Sequence, residues 1–272
     1  GGNVPASTGW GTYNLDTYGI FASFDYEMSD KWTLTVGGRY TNEEKDVHWR
    51  ASQYPEYAQN ERLTLAAALL PNKAAEEWSS FDPKVTLTYN LENNGIIYAT
   101  YATGFKSGGY NAPTRQGGEA LEPEEIMMIE LGYKADLTDT LRLTSSFFMY
   151  DYEDLQVTRA AVGTGTVTTE NATDSEVMGA DFDITWLVSD SFTLRFGGEI
   201  LDAEYEDFET GSRVANTILT GNPDAVGYGL RFFNAKGHSL LRAADSSFFL
   251  AADYESGPIS VNVNYSWTDE YY

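Results

Sequence analysis

Apolar and polar residues alternate one by one along much of this chain, and the alternation returns at intervals. In Lys31–Tyr40, Leu34, Val36, Gly38 and Tyr40 share one side, while Thr33, Thr35, Gly37 and Arg39 share the other. Val85, Leu87 and Tyr89 oppose Lys84, Thr86 and Thr88 in the same way. Met127, Ile129, Leu131 and Tyr133 oppose Met128, Glu130, Gly132 and Lys134; Met178, Ala180, Phe182, Ile184 and Trp186 oppose Gly179, Asp181, Asp183 and Thr185. Ile259, Val261, Val263, Tyr265 and Trp267 oppose Ser260, Asn262, Asn264 and Ser266. A period of two is the side-chain repeat of a β-strand, so each run predicts a strand with one greasy face and one face of small, hydroxylic and charged groups. Ten strands are predicted, over about 17–27, 31–42, 80–90, 94–104, 122–135, 140–160, 167–187, 191–206, 244–255 and 258–270.

The connections fall into two kinds. Short ones centre on Met28–Asp30, Glu92–Asn94, Asp136–Asp139, Val188–Asp190 and Ser256–Gly257. Between them lie Glu43–Ser79, Phe105–Leu121, Ala161–Thr166 and Asp207–Ala243, of which only Ala161–Thr166 is short. Each short turn is preceded on the greasy side by a ring, Tyr26, Tyr89, Tyr133, Trp186 or Tyr254, and Trp32 and Phe192 follow two of them. Rings favour strands in any case, but their concentration at one end fits an aromatic girdle at a membrane interface. Short turns at one end and long loops at the other are the habit of outer-membrane barrels; a soluble sandwich has no reason to keep it. The expected fold is therefore all-β, an antiparallel transmembrane β-barrel with short periplasmic turns and long extracellular loops. Hydrocarbon offers backbone groups no water, so such strands must close into a barrel. With the turns periplasmic, both ends of the chain come to lie outside, so the expectation is part of a wall rather than a whole barrel.

Composition narrows the picture. Against 17 Lys and Arg stand 41 Asp and Glu, a formal charge of −24, which argues against nucleic acid as a partner. The 19 Tyr, 14 Phe and 6 Trp argue against disorder, and the absence of Cys removes disulfide and thiolate-metal chemistry. No run approaches the ~20 apolar residues of a spanning helix, a test to which barrel strands are blind. No signal peptide is visible and the chain opens on Gly1, so the natural N-terminus is expected to lie elsewhere.

Five stretches resemble a known family, three of them more closely. Thr17–Lys45 (TYGIFASFDYEMSDKWTLTVGGRYTNEEK) resembles paired strands from the middle of TonB-dependent outer-membrane receptors. The most specific match is Phe81–Pro113, above all YATYATGFKSGGYNAP, and Leu121–Thr158 follows in the family's order; Glu176–Asp207 and His238–Trp267 match more loosely. The resemblance implies a parent barrel of about 22 strands in a bacterial outer membrane, of which this chain supplies about ten from the C-terminal part. It further implies an N-terminal plug domain and a TonB box, both absent from this sequence. The implied function is uptake of a scarce nutrient, a ferric siderophore or similar iron complex first, with energy from the TonB complex. The implied surroundings are the lipid bilayer and lipopolysaccharide.

Binding groups commonly sit on loops above a rigid scaffold. Phe105, Lys106, Tyr110 and Arg115 above one strand pair, with Arg159 and Arg231 near other loop tips, are the ligand candidates: rings stack on aryl groups and Arg pairs with anionic oxygens. Loop-to-loop packing is an equally good account of them. Arg39, Arg142, Arg195, Glu130 and Glu199 are expected to face a polar lumen. Carboxylates at Glu43, Glu44 and Asp46, and at Asp202, Glu204, Glu206, Asp207 and Glu209, read as a solvated rim rather than a metal site, with calcium bridging as the lesser alternative. Residues 58–78, with LTLAAALL, read as a short amphipathic helix over the mouth. His48 and His238 are the only histidines and no nucleotide fingerprint occurs, so no catalytic site, metal or cofactor is expected. The rival functions are a passive porin, an outer-membrane enzyme and a soluble acidic carbohydrate-binding sandwich.

Overall fold

A computed structural model describes residues 8–52, 73–92, 95–110, 120–160, 167–172, 174–215, 218, 221, 223 and 228–271. In chain order the strands are β1 (Thr8–Glu27), β2 (Trp32–Ser52), β3 (Lys73–Asn90), β4 (Ile96–Lys106), β5 (Glu124–Thr138), β6 (Leu141–Glu153) and β7 (Gln156–Ala160). They continue as β8 (Val167–Asn171), β9 (Asp174–Ser189), β10 (Phe192–Asp207), β11 (Glu209–Ala215), β12 (Tyr228–Asn234), β13 (Ser246–Ser256) and β14 (Ile259–Thr268). Ten of them form one sheet in the order β1-β2-β3-β4-β5-β6-β9-β10-β13-β14, and β7-β8 and β11-β12 are separate two-stranded hairpins. Every sheet pairing is antiparallel. Among the described residues no helix is long and apolar enough to cross a membrane.

The two faces are those the alternation predicts. Phe24, Val36, Val85, Tyr101 and Ile129 form a row across β1 to β5, and all five are exposed. Leu131 (54% exposed), Phe147 and Ile200 lie on the same face, as does Tyr265 at 65%. Water would penalise so broad an apolar surface, whereas hydrocarbon would not. Across the far strands of this face, Phe182, Phe196, Phe248 and Trp267 form a ladder of rings 5.2, 6.5 and 5.8 Å apart. The opposite face carries Arg39, Lys84, Thr86, Thr100, Asp181, Glu199, Asn262 and Asn264.

Four of the five short turns are in place, residues 93 and 94 of the fifth lying outside the described residues, and small hydroxyls build three of them. Ser29 Oγ accepts from the N–H groups of Lys31 (3.3 Å) and Trp32 (3.2 Å), Thr138 Oγ1 from Thr140 N–H, and Ser189 Oγ from Ser191 N–H. In the last turn Gly257 has φ 58°, the left-handed conformation that favours glycine.

Four expectations need correction. The predicted strands 140–160 and 167–187 each divide. Asp154, with φ 54°, turns the chain after Glu153, so β7 and β8 leave the sheet as a hairpin of their own. The last long connection, Asp207–Ala243, is likewise not all loop, since β11 and β12 pair within it. The first is shorter than expected, because β2 runs to Ser52 and β3 begins at Lys73. Residues 73–78 are therefore strand, not helix; the rest of the expected helix lies outside the described residues. Finally, Phe105 and Lys106 are the last residues of β4 rather than loop.

One ladder stops early. β3 pairs with β4 only from Lys84↔Ala102 to Asn90↔Ile96, although β4 pairs with β5 up to Lys106↔Glu124. The break falls at Pro83, which has no N–H to give the next rung. Beyond it a cleft opens, bordered by Ser79, Phe81, Thr103 and Met127.

Candidate functional site

At the long-loop end, the polar face of β2 and β3 meets the stretch after β4. Register places Glu43 opposite Trp78 and Lys45 opposite Glu76, on the face that carries Arg39. Lys45 is only 12% exposed, because its ammonium donates to Ser107 Oγ and to the Gly108 carbonyl, each at 2.5 Å. It also lies 3.6 Å from the Glu43 carboxylate and 5.4 Å above the Trp78 ring. Ser107 Oγ–H in turn donates to Glu43. Gly108 presses so closely on Trp78 that a Cβ there would fall 2.6 Å from the indole. Leu121 N–H donates to the Gly109 carbonyl at 2.7 Å, pinching the two stems of the β4–β5 connection into a neck.

The expected ligand residues divide on this geometry. Tyr110 sits on the neck, its ring 6.2 Å from that of Trp78. Burial first, then the carboxylates of Glu76 and Asp46 and the phenol of Tyr13, push its own phenol above the usual tyrosine value. Lys106 is exposed and 3.0 Å from Glu124. Phe105 pairs with Glu125 in the register of Ile97 and Tyr101, and so lies on the apolar face, away from the other two. Arg115 lies outside the described residues; Arg159 and Arg231 lie in the β7 and β12 backbones, and their side chains are likewise outside what is described.

The polar face is less uniform than expected. Tyr98, Phe148, Tyr150 and Tyr152 share the face of Glu130, and Val177, Leu201 and Ala203 continue it into a cluster that Leu240 packs against. The charged series expected there is present and mostly paired. Arg142 holds Asp136 at 2.6 Å, Arg195 holds Asp253 at 2.7 Å, Arg39 donates to Thr41 at 2.9 Å, and Tyr98 O–H donates to Glu130.

The carboxylate clusters resolve by face. Glu43 points inward to Lys45, while Glu44 and Asp46 share the apolar side's register. So do Asp202, Glu204 and Glu206, all exposed; the side chains of Asp207 and Glu209 lie outside the described residues. Along this rim Asp151, Glu176 and Glu204 stand in one cross-strand row, and Glu125, Glu153 and Asp174 in the next. Among the described residues no three acidic or histidine side chains converge for a metal ion. His48 pairs in β2 with Thr12 and Lys73; His238 lies between β12 and β13, where its carbonyl accepts from Tyr205 N–H at 3.1 Å.

Sequence reading missed Lys45, Trp78, Gln156 and Asn171. Extending the β2 alternation past Arg39 through Thr41 reaches Glu43 and then Lys45 and would have marked both as inward. No comparable signal exists for the two amides, whose side chains bond backbone atoms of the β4–β5 connection and, for Asn171, the Asp154 carbonyl.

A one-sided apolar meander with aromatic rings at its turns and a hydrogen-bonded polar face is the wall of an outer-membrane β-barrel. All of it, residues 1–272, matches the family described as TonB dependent receptor-like, beta-barrel, and the chain belongs to that family, one of receptors rather than enzymes. A relative from Acinetobacter baumannii, named a probable TonB-dependent siderophore receptor, PiuA, is 24% identical over 220 residues, covering 76% of this chain and 27% of the relative. The pesticin receptor of Yersinia enterocolitica is 20% identical over 206 residues, 74% of this chain and 28% of its own length. The chain thus spans little more than a quarter of these relatives. Among solved structures, the ferric yersiniabactin uptake receptor FyuA from Yersinia pestis superposes with TM-score 0.67 at 15% identity, over 92% of this chain and 33% of that one. The siderophore receptor PiuA from Acinetobacter baumannii gives 0.67 at 18%, over 96% and 34%. At these identities the superpositions speak for the fold.

Proposed function

We propose that the parent protein is an outer-membrane receptor that takes up a ferric siderophore or similar iron complex using energy from the TonB complex. In this reading the ten-stranded wall is the C-terminal part of a barrel of about 22 strands, filled by an N-terminal plug that carries the TonB box. The observation that carries it is the full-length match of a one-sided apolar meander to the receptor barrel family. The siderophore receptors among its relatives supply the ligand class. Lys106 and Tyr110 at the loop end receive the ligand, with Arg115, Arg159 and Arg231 as further contacts from neighbouring loops. A ring and cations suit the aryl and anionic oxygen groups of an iron chelate.

The test is uptake by the full-length protein in a host lacking its own siderophore receptors, with iron supplied as 55Fe complexes of a catecholate and of a hydroxamate. Accumulation that depends on both the receptor and TonB is expected. Accumulation that persists without TonB would mark a passive channel instead, and no accumulation with either complex would refute the iron-chelate reading.

A further inference from the structure

Lys106 and Tyr110 sit on a neck that no continuous ladder holds on its β3 side. Past Pro83, β4 has no β3 partner, so the neck crosses the cleft and is held on that side by side chains, those of Lys45, Glu43 and Trp78. On its other side it meets the base of the β7–β8 hairpin, whose first cross-strand pair is Gln156↔Asn171.

Both side chains of that pair grip the neck. Gln156 Nε2 donates to the Ser107 carbonyl on the rising stem at 3.2 Å and to the Glu122 carbonyl on the falling stem at 3.0 Å. Its backbone N–H donates to the Glu124 carboxylate at 3.0 Å, the carboxylate that also holds Lys106. Asn171 accepts from Glu122 N–H at 3.1 Å, donates back to the Glu122 carbonyl at 3.0 Å and anchors to the Asp154 carbonyl at 2.8 Å. One amide thus ties both stems together, and the other fixes the falling stem to the turn from which the hairpin springs. A primary amide suits the task, since its two N–H groups can serve two carbonyls at once.

We propose that Gln156, Asn171 and Lys45 are positioning residues: a clamp from two sides that holds the neck, and with it Lys106 and Tyr110, in the ligand-receiving arrangement. A ligand that touches either the β4–β5 connection or the β7–β8 hairpin is then felt by both. The assignment rests on the receptor reading above for its functional part, but not for its mechanical part.

The experiment uses the full-length receptor in outer-membrane vesicles and whole cells, with Gln156→Ala, the isosteric donor-less Gln156→Glu, Asn171→Ala, Lys45→Met and the donor-retaining Lys45→Arg. Hydrogen exchange is expected to rise on the order of ten-fold at residues 105–110 and 120–124 in all but Lys45→Arg, as the loss of one or two hydrogen bonds implies. Exchange in residues 126–138 should stay unchanged, which reports an intact wall. In uptake of 55Fe catecholate and hydroxamate complexes, KM should rise by a similar factor with Vmax within about two-fold, since a misplaced neck weakens capture rather than transport. Unaltered neck exchange in Gln156→Glu overturns the clamp. Loosened exchange with unaltered KM overturns the positioning role. If the wild type transports neither complex, the receptor reading fails and the exchange result alone decides the clamp.

Discussion

Tyr98 lies directly across from Gly132, its ring filling the space that a Gly132 Cβ would need, while its hydroxyl donates to Glu130 two residues along. The same device recurs at Phe148 over Gly179, Phe249 over Gly197 and Phe248 over Gly198. Each ring shields a glycine that would otherwise weaken the strand. We expect Gly132→Ala to destabilise the folded barrel by ~1–3 kcal/mol, because the ring must swing aside and surrender its bond to Glu130. Removing the ring first, with Tyr98→Ser, should make the second substitution nearly free. Urea titration of the refolded receptor in liposomes gives the double-mutant cycle, and additive costs would contradict the arrangement.

The apolar face makes a prediction that separates lipid from water as its surroundings. Leu131 is more than half exposed, so in water Leu131→Lys would be harmless or helpful. Against hydrocarbon it should cost ~2–4 kcal/mol, while Thr144→Lys on the polar face should cost less than ~0.5 kcal/mol. Equal small effects at the two positions, in the same liposome titration, would remove the membrane wall from the account.

The rim carries like charges face to face. Glu176 stands between Asp151 and Glu204 in consecutive strands, a juxtaposition that costs stability. Glu176→Gln is therefore expected to stabilise the barrel by a few tenths of a kcal/mol at low salt, an advantage that fades as ionic strength rises. Thermal unfolding at two salt concentrations checks both halves of the statement.

Tyr110 offers a pH signature outside the membrane. Its phenol is raised above 10.0, chiefly by burial, so the native state favours the protonated form. The neutral ring's contribution to the neck is fully present below pH 10 and is lost as the pH climbs through the raised value. Tyrosinate quenches a nearby indole, and Trp78 is the neighbour. The fluorescence difference between wild type and Tyr110→Phe should titrate with a midpoint above 10, and a midpoint at or below 10 would contradict the burial.

The fold was legible because alternation and register are the same fact seen twice. Ile129 and Leu131 declare their face in the sequence, and the sheet only adds which residues stand beside them. The hairpins were not legible, since β7 and β8 adjoin the wall strands in sequence, and β7 is parted from β6 only by the left-handed turn at Asp154. Nor was the mixed character of the inner face, because Phe147, Phe148, Met149 and Tyr150 put large apolar groups on both parities at once. That Lys106 and Tyr110 lie together at the loop end of β4 could be read from their position in the sequence. Gln156 could not, because its partners are carbonyls 49 and 34 residues away, brought to it by tertiary approach rather than spacing.

The β7–β8 and β11–β12 hairpins pair only within themselves, and this makes the wall indifferent to their length. Residues can be gained or lost at either tip without moving β6 against β9 or β10 against β13. A new binding surface can therefore be grafted onto an old wall, and only grafts that disturb the Gln156–Asn171 base should carry a cost beyond the hairpin itself.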